Sequence, residues 1–252
     1  MKLRYFSDLH LEFIKPTQIQ NFIKRISVGR DEICVLAGDI GNPYNQTNYD
    51  TFMKFISKNF KKSFIIAGNH EYYNKTKNIY DTNVYLKKYF EQFDNISFLN
   101  NEFEHYNDHF FIGTTLWSQI TNPTYEINDV YEIPNFDYIE YNKLNIQSVN
   151  FLKTILNEIN KNSIIITHHM PSSCLIHNKY KTQKMLPYNQ WFYCNMDELI
   201  EKNKDKIKCW IYGHTHTPSN ILINKIPFVC NPIGYPNQNK NINFQTTITI
   251  DV

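Results

Sequence analysis

Lys2-Leu3-Arg4-Tyr5-Phe6-Ser7-Asp8-Leu9-His10 joins a short apolar and aromatic run to an Asp-x-His pair, and the same construction recurs four times. Ile33 to Ala37 leads into Gly38-Asp39, Ser63 to Ala67 into Gly68-Asn69-His70-Glu71, Ser163 to Ile166 into His168, and Lys208 to Tyr212 into Gly213-His214-Thr215-His216. Runs of this length rich in β-branched and aromatic residues read as strands, which puts each polar motif at a carboxyl end. In an open α/β sheet, ligands bind at those ends. Five strand ends can therefore pool residues spread from Asp8 to His216 into one crevice, and the pooled set reads as a dinuclear metal site.

The intervening sequence alternates with the strands. Helical periodicity runs through Thr17 to Ile26, Thr47 to Asn59, Val84 to Phe93, Tyr141 to Ile159 and Met196 to Asn203. Further strands are expected at Ile96 to Leu99, Phe110 to Gly113, Asn220 to Ile223, Phe228 to Cys230 and Thr246 to Ile250. No helix separates the closing strands, which predicts an antiparallel portion there. The chain carries no internal repeat and no linker-like stretch, and 252 residues suit one α/β domain over 1–252.

Composition narrows the function classes. Lys and Arg number 26 against 24 Asp and Glu, and the net charge of +2 is scattered, which argues against extended nucleic acid as a partner. The 18 Tyr and 18 Phe are read as core and sheet filler ahead of base-stacking platforms. Five cysteines, Cys34, Cys174, Cys194, Cys209 and Cys230, form no Cys-x-x-Cys pair, so a reducing compartment is expected. The first strand leaves no room for a secretory signal ahead of it, and no apolar run is long enough to span a bilayer. The expectation is a cytoplasmic protein without a membrane partner.

The ordered motifs Asp8-x-His10, Gly38-Asp39, Gly68-Asn69-His70-Glu71, His168 and Gly213-His214-x-His216 resemble those of the calcineurin-like metallophosphoesterase superfamily, and they span almost the whole chain. The resemblance implies a four-layer α/β/β/α sandwich, with two mixed sheets flanked by helices and a two-metal centre where the sheets meet. It implies that Asp8, His10 and His216 hold one metal, Asn69, His168 and His214 the other, and that Asp39 bridges both. Carboxylate, imidazole and amide ligands suit Mn²⁺ first, with Fe, Zn²⁺, Co²⁺ or Ni²⁺ as alternatives. In such a centre a hydroxide between the metals attacks phosphorus in line. Asp39 and His70 are then the catalytic residues, His70 as proton donor to the leaving oxygen.

Other residues are weighed against these. His169 is an alternative to His168, and His105, His109 and His177 match no ligand spacing. Glu71 is expected to orient a ligand histidine or to cap the next segment, and Tyr72-Tyr73 to pack more than to line an entrance. Gly113-Thr114-Thr115-Leu116-Trp117 and Asn128-Asp129 resemble a bacterial and viral subgroup of the superfamily. The irregular stretch from Trp117 to Asn135 is expected to rim the site and set specificity, so that its deletion would change substrate preference and spare metal content. Ile40-Gly41-Asn42-Pro43 lacks the arginine that Ser/Thr protein phosphatases place near here, which argues against a phosphoprotein substrate. The favoured function is hydrolysis of a phosphodiester, then of a phosphomonoester, on a small molecule or nucleotide. A protein-interaction scaffold on the same fold and a Ser/Thr-type phosphatase are the alternatives.

Overall fold

The motif strands read as solid apolar runs because both of their faces are buried. The computed structural model describes residues 1–26, 32–44, 46–236 and 244–252. Its strands are β1 Lys2–Phe6, β2 Ile33–Ala37, β3 Lys62–Ile66, β4 Ile96–Phe98, β5 Glu102–Tyr106, β6 His109–Thr114, β7 Ser163–Thr167, β8 Ile207–Ile211, β9 Ser219–Ile223, β10 Ile226–Cys230 and β11 Thr249–Asp251. Its helices are α1 Ile19–Lys24, α2 Gln46–Asn59, α3 Ile79–Phe90, α4 Asn128–Glu132, α5 Tyr138–Glu158 and α6 Asp197–Lys202.

Two sheets form, in the orders β11-β1-β2-β3-β4 and β5-β6-β7-β8-β10-β9. Strands β1 to β4 are parallel and β11 runs antiparallel against β1. In the second sheet β6, β7, β8 and β10 are parallel, with β5 and β9 antiparallel at the edges. Strand alternation divides the side chains between layers. Tyr5, Val35, Phe64, Ile164, Ile166 and Ile211 point between the sheets, where Phe64 and Phe111 stack with centroids 3.8 Å apart. Phe6, Leu36 and Ile65 face the other way, onto α1, α2 and α3, while Ile165 and Trp210 face α5 and α6. This is the expected α/β/β/α sandwich.

The motif strands belong to different sheets, β1 to β3 to one and β7 and β8 to the other. The crevice therefore lies between two sheets and not along the edge of one. The closing hairpin β9–β10 is antiparallel as expected, but β10 returns parallel to β8, and β11 crosses to the first sheet. Strand β5, which sequence periodicity did not mark, is a polar edge strand paired only with β6. Helix α3 starts earlier than expected because Asn78 caps it, accepting from Asp81 N at 2.9 Å. Asp137 does the same for α5, accepting from Ile139 N and Glu140 N. Among the described residues, no helix is long and apolar enough to cross a membrane.

Candidate metal centre

Three of the five motifs, those after β1, β2 and β8, turn away from their strands through left-handed residues. Asp8, His10, Asp39, His214 and His216 all have positive φ, between 47° and 65°. Such conformations cost roughly 1–3 kcal/mol each outside glycine and persist only where the surroundings over-determine them. Their concentration at one crevice marks it as the functional region. Gly68 shows how close the approach is, since a Cβ there would lie 2.2 Å from Asp39 Oδ1.

The side chains gather into two groups that share Asp39. Asp8, His10, Asp39 and His216 form one and Asp39, His168 and His214 the other, with candidate ligand atoms in each within 4.8 Å of one another. In the first, His10 Nε2 faces His216 Nε2 at 3.0 Å and Asp39 Oδ2 at 3.9 Å, while Asp8 Oδ1 lies 3.4 Å from His216 Nε2. In the second, His168 Nε2 lies 3.2 Å from Asp39 Oδ2 and 3.0 Å from Asn69 Oδ1. All seven ligand candidates are buried.

These residues fit a metal. His168 Nδ1 donates to Ala37 O at 2.9 Å, which leaves Nε2 as the lone-pair nitrogen aimed at the cluster. His214 Nε2 is buried with no hydrogen-bond partner, a costly arrangement unless a ligand takes it up. His169 does not join them, because its Nε2 meets Tyr141 OH at 2.8 Å and its Nδ1 meets Thr115 O at 3.2 Å. It backs the ring of His214 instead, at 4.3 Å between centroids. His105, His109 and His177 lie away from the centre, on β5, at the start of β6 and in an exposed turn.

Charge in this buried cluster is mutually dependent. Burial alone would raise the Asp39 carboxyl, but His168 and His70 hold it well below the usual carboxylate range. Burial opposes a charged His168, yet the Asp39 carboxylate outweighs it and pushes the imidazole up to about 10. His214 goes the other way, driven well below its ordinary value by burial and by the neighbouring histidines. His214 is thus neutral as a metal ligand must be, whereas at His168 a bound cation would have to replace the proton that Asp39 now favours.

Several residues around the centre carry no sequence signal. Glu12 Oε1 bridges His10 Nδ1 at 3.0 Å and His70 Nδ1 at 2.9 Å, and these hydrogen bonds overcome burial to hold its carboxyl at about 2. The other face of His70 meets Tyr235, with Nε2 2.6 Å from the hydroxyl. Burial disfavours a charged His70, but the Asp39 charge and the Glu12 hydrogen bond raise it to about 9. Tyr235 is held there because Ile233 N and Gly234 N both donate to Asp8 O, at 3.2 and 2.9 Å.

Glu71 plays neither of its expected parts. It accepts from the backbone N–H of Asp39 at 2.9 Å, Ile40 at 2.8 Å, Gly41 at 3.3 Å and Gly68 at 2.7 Å. Tyr72 packs against Trp117, whereas Tyr73 lies against His70 with centroids 4.2 Å apart. Asn42, in the stretch without the arginine, donates its amide to Tyr73 O at 2.6 Å.

Helix α4, inside the segment expected to be irregular, brings Asp129 to the centre. Asn69 Nδ2 donates to Asp129 Oδ1 at 2.8 Å, and the Tyr73 hydroxyl donates to the same oxygen. This fixes the Asn69 amide with Oδ1 toward His168. Deleting the segment would free Asn69, so metal content should fall with it, contrary to the expectation from sequence. Asp129→Ala is expected to weaken metal binding by about 10- to 100-fold in titration calorimetry, the usual loss for a residue that orients a ligand. Unchanged affinity would show that Asn69 holds its orientation unaided.

A family model described as calcineurin-like phosphoesterase matches residues 1–218. The uncharacterized protein L509 of Acanthamoeba polyphaga mimivirus is 35% identical over 275 residues, covering 99% of this chain and 96% of that one. The phosphopantetheinyl hydrolase of Mycobacterium tuberculosis superposes with a TM-score of 0.74 over 96% of this chain and 93% of its own, at 13% identity. A putative 5'-nucleotidase of Staphylococcus aureus gives 0.50 over 92% of this chain and 48% of its own, also at 13%. The two structural likenesses speak to the fold.

Proposed function

This chain belongs to the calcineurin-like phosphoesterases, metal-dependent hydrolases of phosphoric esters, and we propose that it holds two transition-metal ions and hydrolyses a phosphodiester in preference to a monoester. The observation that carries the two-metal reading is the sharing of Asp39 by two ligand groups. Asp8, His10 and His216 would hold one ion, Asn69, His168 and His214 the other, with Asp39 between them. When bound, such ions supply Lewis acidity at the phosphoryl oxygens and lower the pKa of water toward neutrality. Manganese suits the nitrogen and oxygen donors, as do iron, zinc, cobalt and nickel.

The chain's own residues supply the rest. His70, with its pKa raised to about 9, carries a proton at neutral pH on a ring clamped between Glu12 and Tyr235. Tyr235 lines both the cavity beside the centre and the adjoining one that His70 lines, which supports His70 as the proton donor to a leaving oxygen. Among the described residues no Lys or Arg lines the cavity beside the centre, which favours a singly charged diester over a dianionic monoester.

The test is hydrolysis of bis(p-nitrophenyl) phosphate against p-nitrophenyl phosphate with Mn²⁺ added. The diester is expected to turn over faster. His70→Ala is expected to lose roughly 10²- to 10⁴-fold in turnover while retaining its metals by elemental analysis. A monoester preference would reverse the substrate reading, and undiminished turnover in His70→Ala would remove His70 from the mechanism.

A further inference from the structure

The cavity beside the centre, about 390 Å³ in volume, has two chemically different ends. Asp39, Asn69, His214 and His216 form one end, and Met170, Ile176, Met185, Tyr188 and Phe192 wall the other. The Phe192 ring lies 4.7 Å from that of His214, so the apolar wall begins where the ligand cluster stops. Met170 and Ile176 are buried in its floor, while Met185, Tyr188 and Phe192 are half-buried and present surface to the cavity. Away from the ligand cluster, the one charged side chain lining it among the described residues is Glu126.

The wall is built before any ligand arrives. Gln190 Oε1 accepts from Thr121 N at 2.9 Å and Asn122 N at 3.0 Å, and its Nε2 donates to Asn122 O at 2.6 Å. Trp191 Nε1 donates to Tyr125 O at 2.6 Å. These bonds tie the α4-bearing segment to the turn that carries Met185, Tyr188 and Phe192. Preorganisation of this kind lowers the ordering cost of binding.

A phosphoester with its phosphoryl group at the ligand cluster must lay one ester group along this wall. Apolar and aromatic surface gains from that burial, whereas an anionic group would be desolvated with no cation among the described lining residues to pair it. We propose that the substrate carries an uncharged aromatic or branched apolar ester group that fills this cavity, and that a second anionic group at that end is excluded. The inference rests on the phosphoesterase reading of the site and names its substrate class.

The test uses the Mn²⁺-loaded full chain and competitive inhibition of bis(p-nitrophenyl) phosphate hydrolysis by three phosphonates. Benzylphosphonate is expected to bind roughly tenfold tighter than methylphosphonate, and 4-carboxybenzylphosphonate to lose most of that gain. Met185→Ser with Tyr188→Ser should shrink the benzyl-to-methyl ratio to about threefold or less. The ratio in the unaltered protein decides the matter even if that variant folds poorly. Equal inhibition by the methyl and benzyl compounds, or tightest binding of the carboxylated one, would overturn the proposal while leaving the phosphoesterase standing. Failure of all three phosphonates to bind, together with no ester hydrolysis, would overturn both.

Discussion

Replacement of Asp39 by Asn is expected to reduce bound metal from two ions per chain to one at most and to lower diester turnover by about 10³-fold or more. The size of the effect follows from how many arrangements meet on this one carboxylate. Its Oδ1 accepts from His70 N at 2.8 Å, so an asparagine would keep its carbonyl there and turn its amide toward the cluster. The NH₂ group would then stand where Oδ2 now lies, 3.2 Å from His168 Nε2 and 3.9 Å from His10 Nε2. An amide nitrogen donates and does not coordinate, so both ligand groups would lose their common member. His168 and His70 would also lose the charge that raises them. Elemental analysis and calorimetric metal titration separate this from misfolding, because the backbone N–H of residue 39 keeps its partner. Retention of two ions with turnover within about tenfold would remove Asp39 from its bridging place.

The asymmetry between what sequence reveals and what folding supplies is instructive at this centre. Asp8, Asp39, Asn69, His168, His214 and their neighbours are legible because each stands within three residues of a strand's end, and the strand is marked by its own apolar run. Glu12 and Tyr235 meet on opposite sides of the same imidazole although 223 positions of sequence separate them, and no spacing rule predicts that pair. Asn128-Asp129 is marked in the sequence by its resemblance to a subgroup, but the role of Asp129 is hidden for another reason. Helix α4 has five residues, too few for periodicity to show, and its purpose becomes visible only when Asn69 is placed against it. The strands themselves were legible, but their division into two sheets was not readable from periodicity, because a strand buried between sheet and helices looks alike in either arrangement. Strand β5 escaped for the opposite reason, being half exposed and polar.

Glu71 leads to the second large effect. Removal of its carboxylate in Glu71→Ala would leave the N–H groups of Asp39, Ile40, Gly41 and Gly68 without their acceptor. Glu71 itself is buried, so water does not readily take its place. Each unsatisfied buried donor costs about 1–3 kcal/mol, and four of them place the expected destabilisation at roughly 4 kcal/mol or more, well beyond a typical substitution. The harm would fall on function as well, because these amides belong to the two turns that present Asp39 and Asn69. Glu71→Gln separates the contributions. It preserves shape but offers an NH₂ group to some of the donors, so it should be destabilised too, by less than the alanine variant. Chemical denaturation measures both. Burial, reinforced by the Asp39 charge, pushes the Glu71 carboxyl up to about 7, so this group taken alone makes the folded state lose stability as pH rises from about 4.5 through 7. The glutamine variant cannot titrate there and should lack that component of the slope. A Glu71→Ala protein as stable as the parent would mean that the turns after β2 and β3 hold their shape without this acceptor, and the strained geometry at Asp39 would need another support.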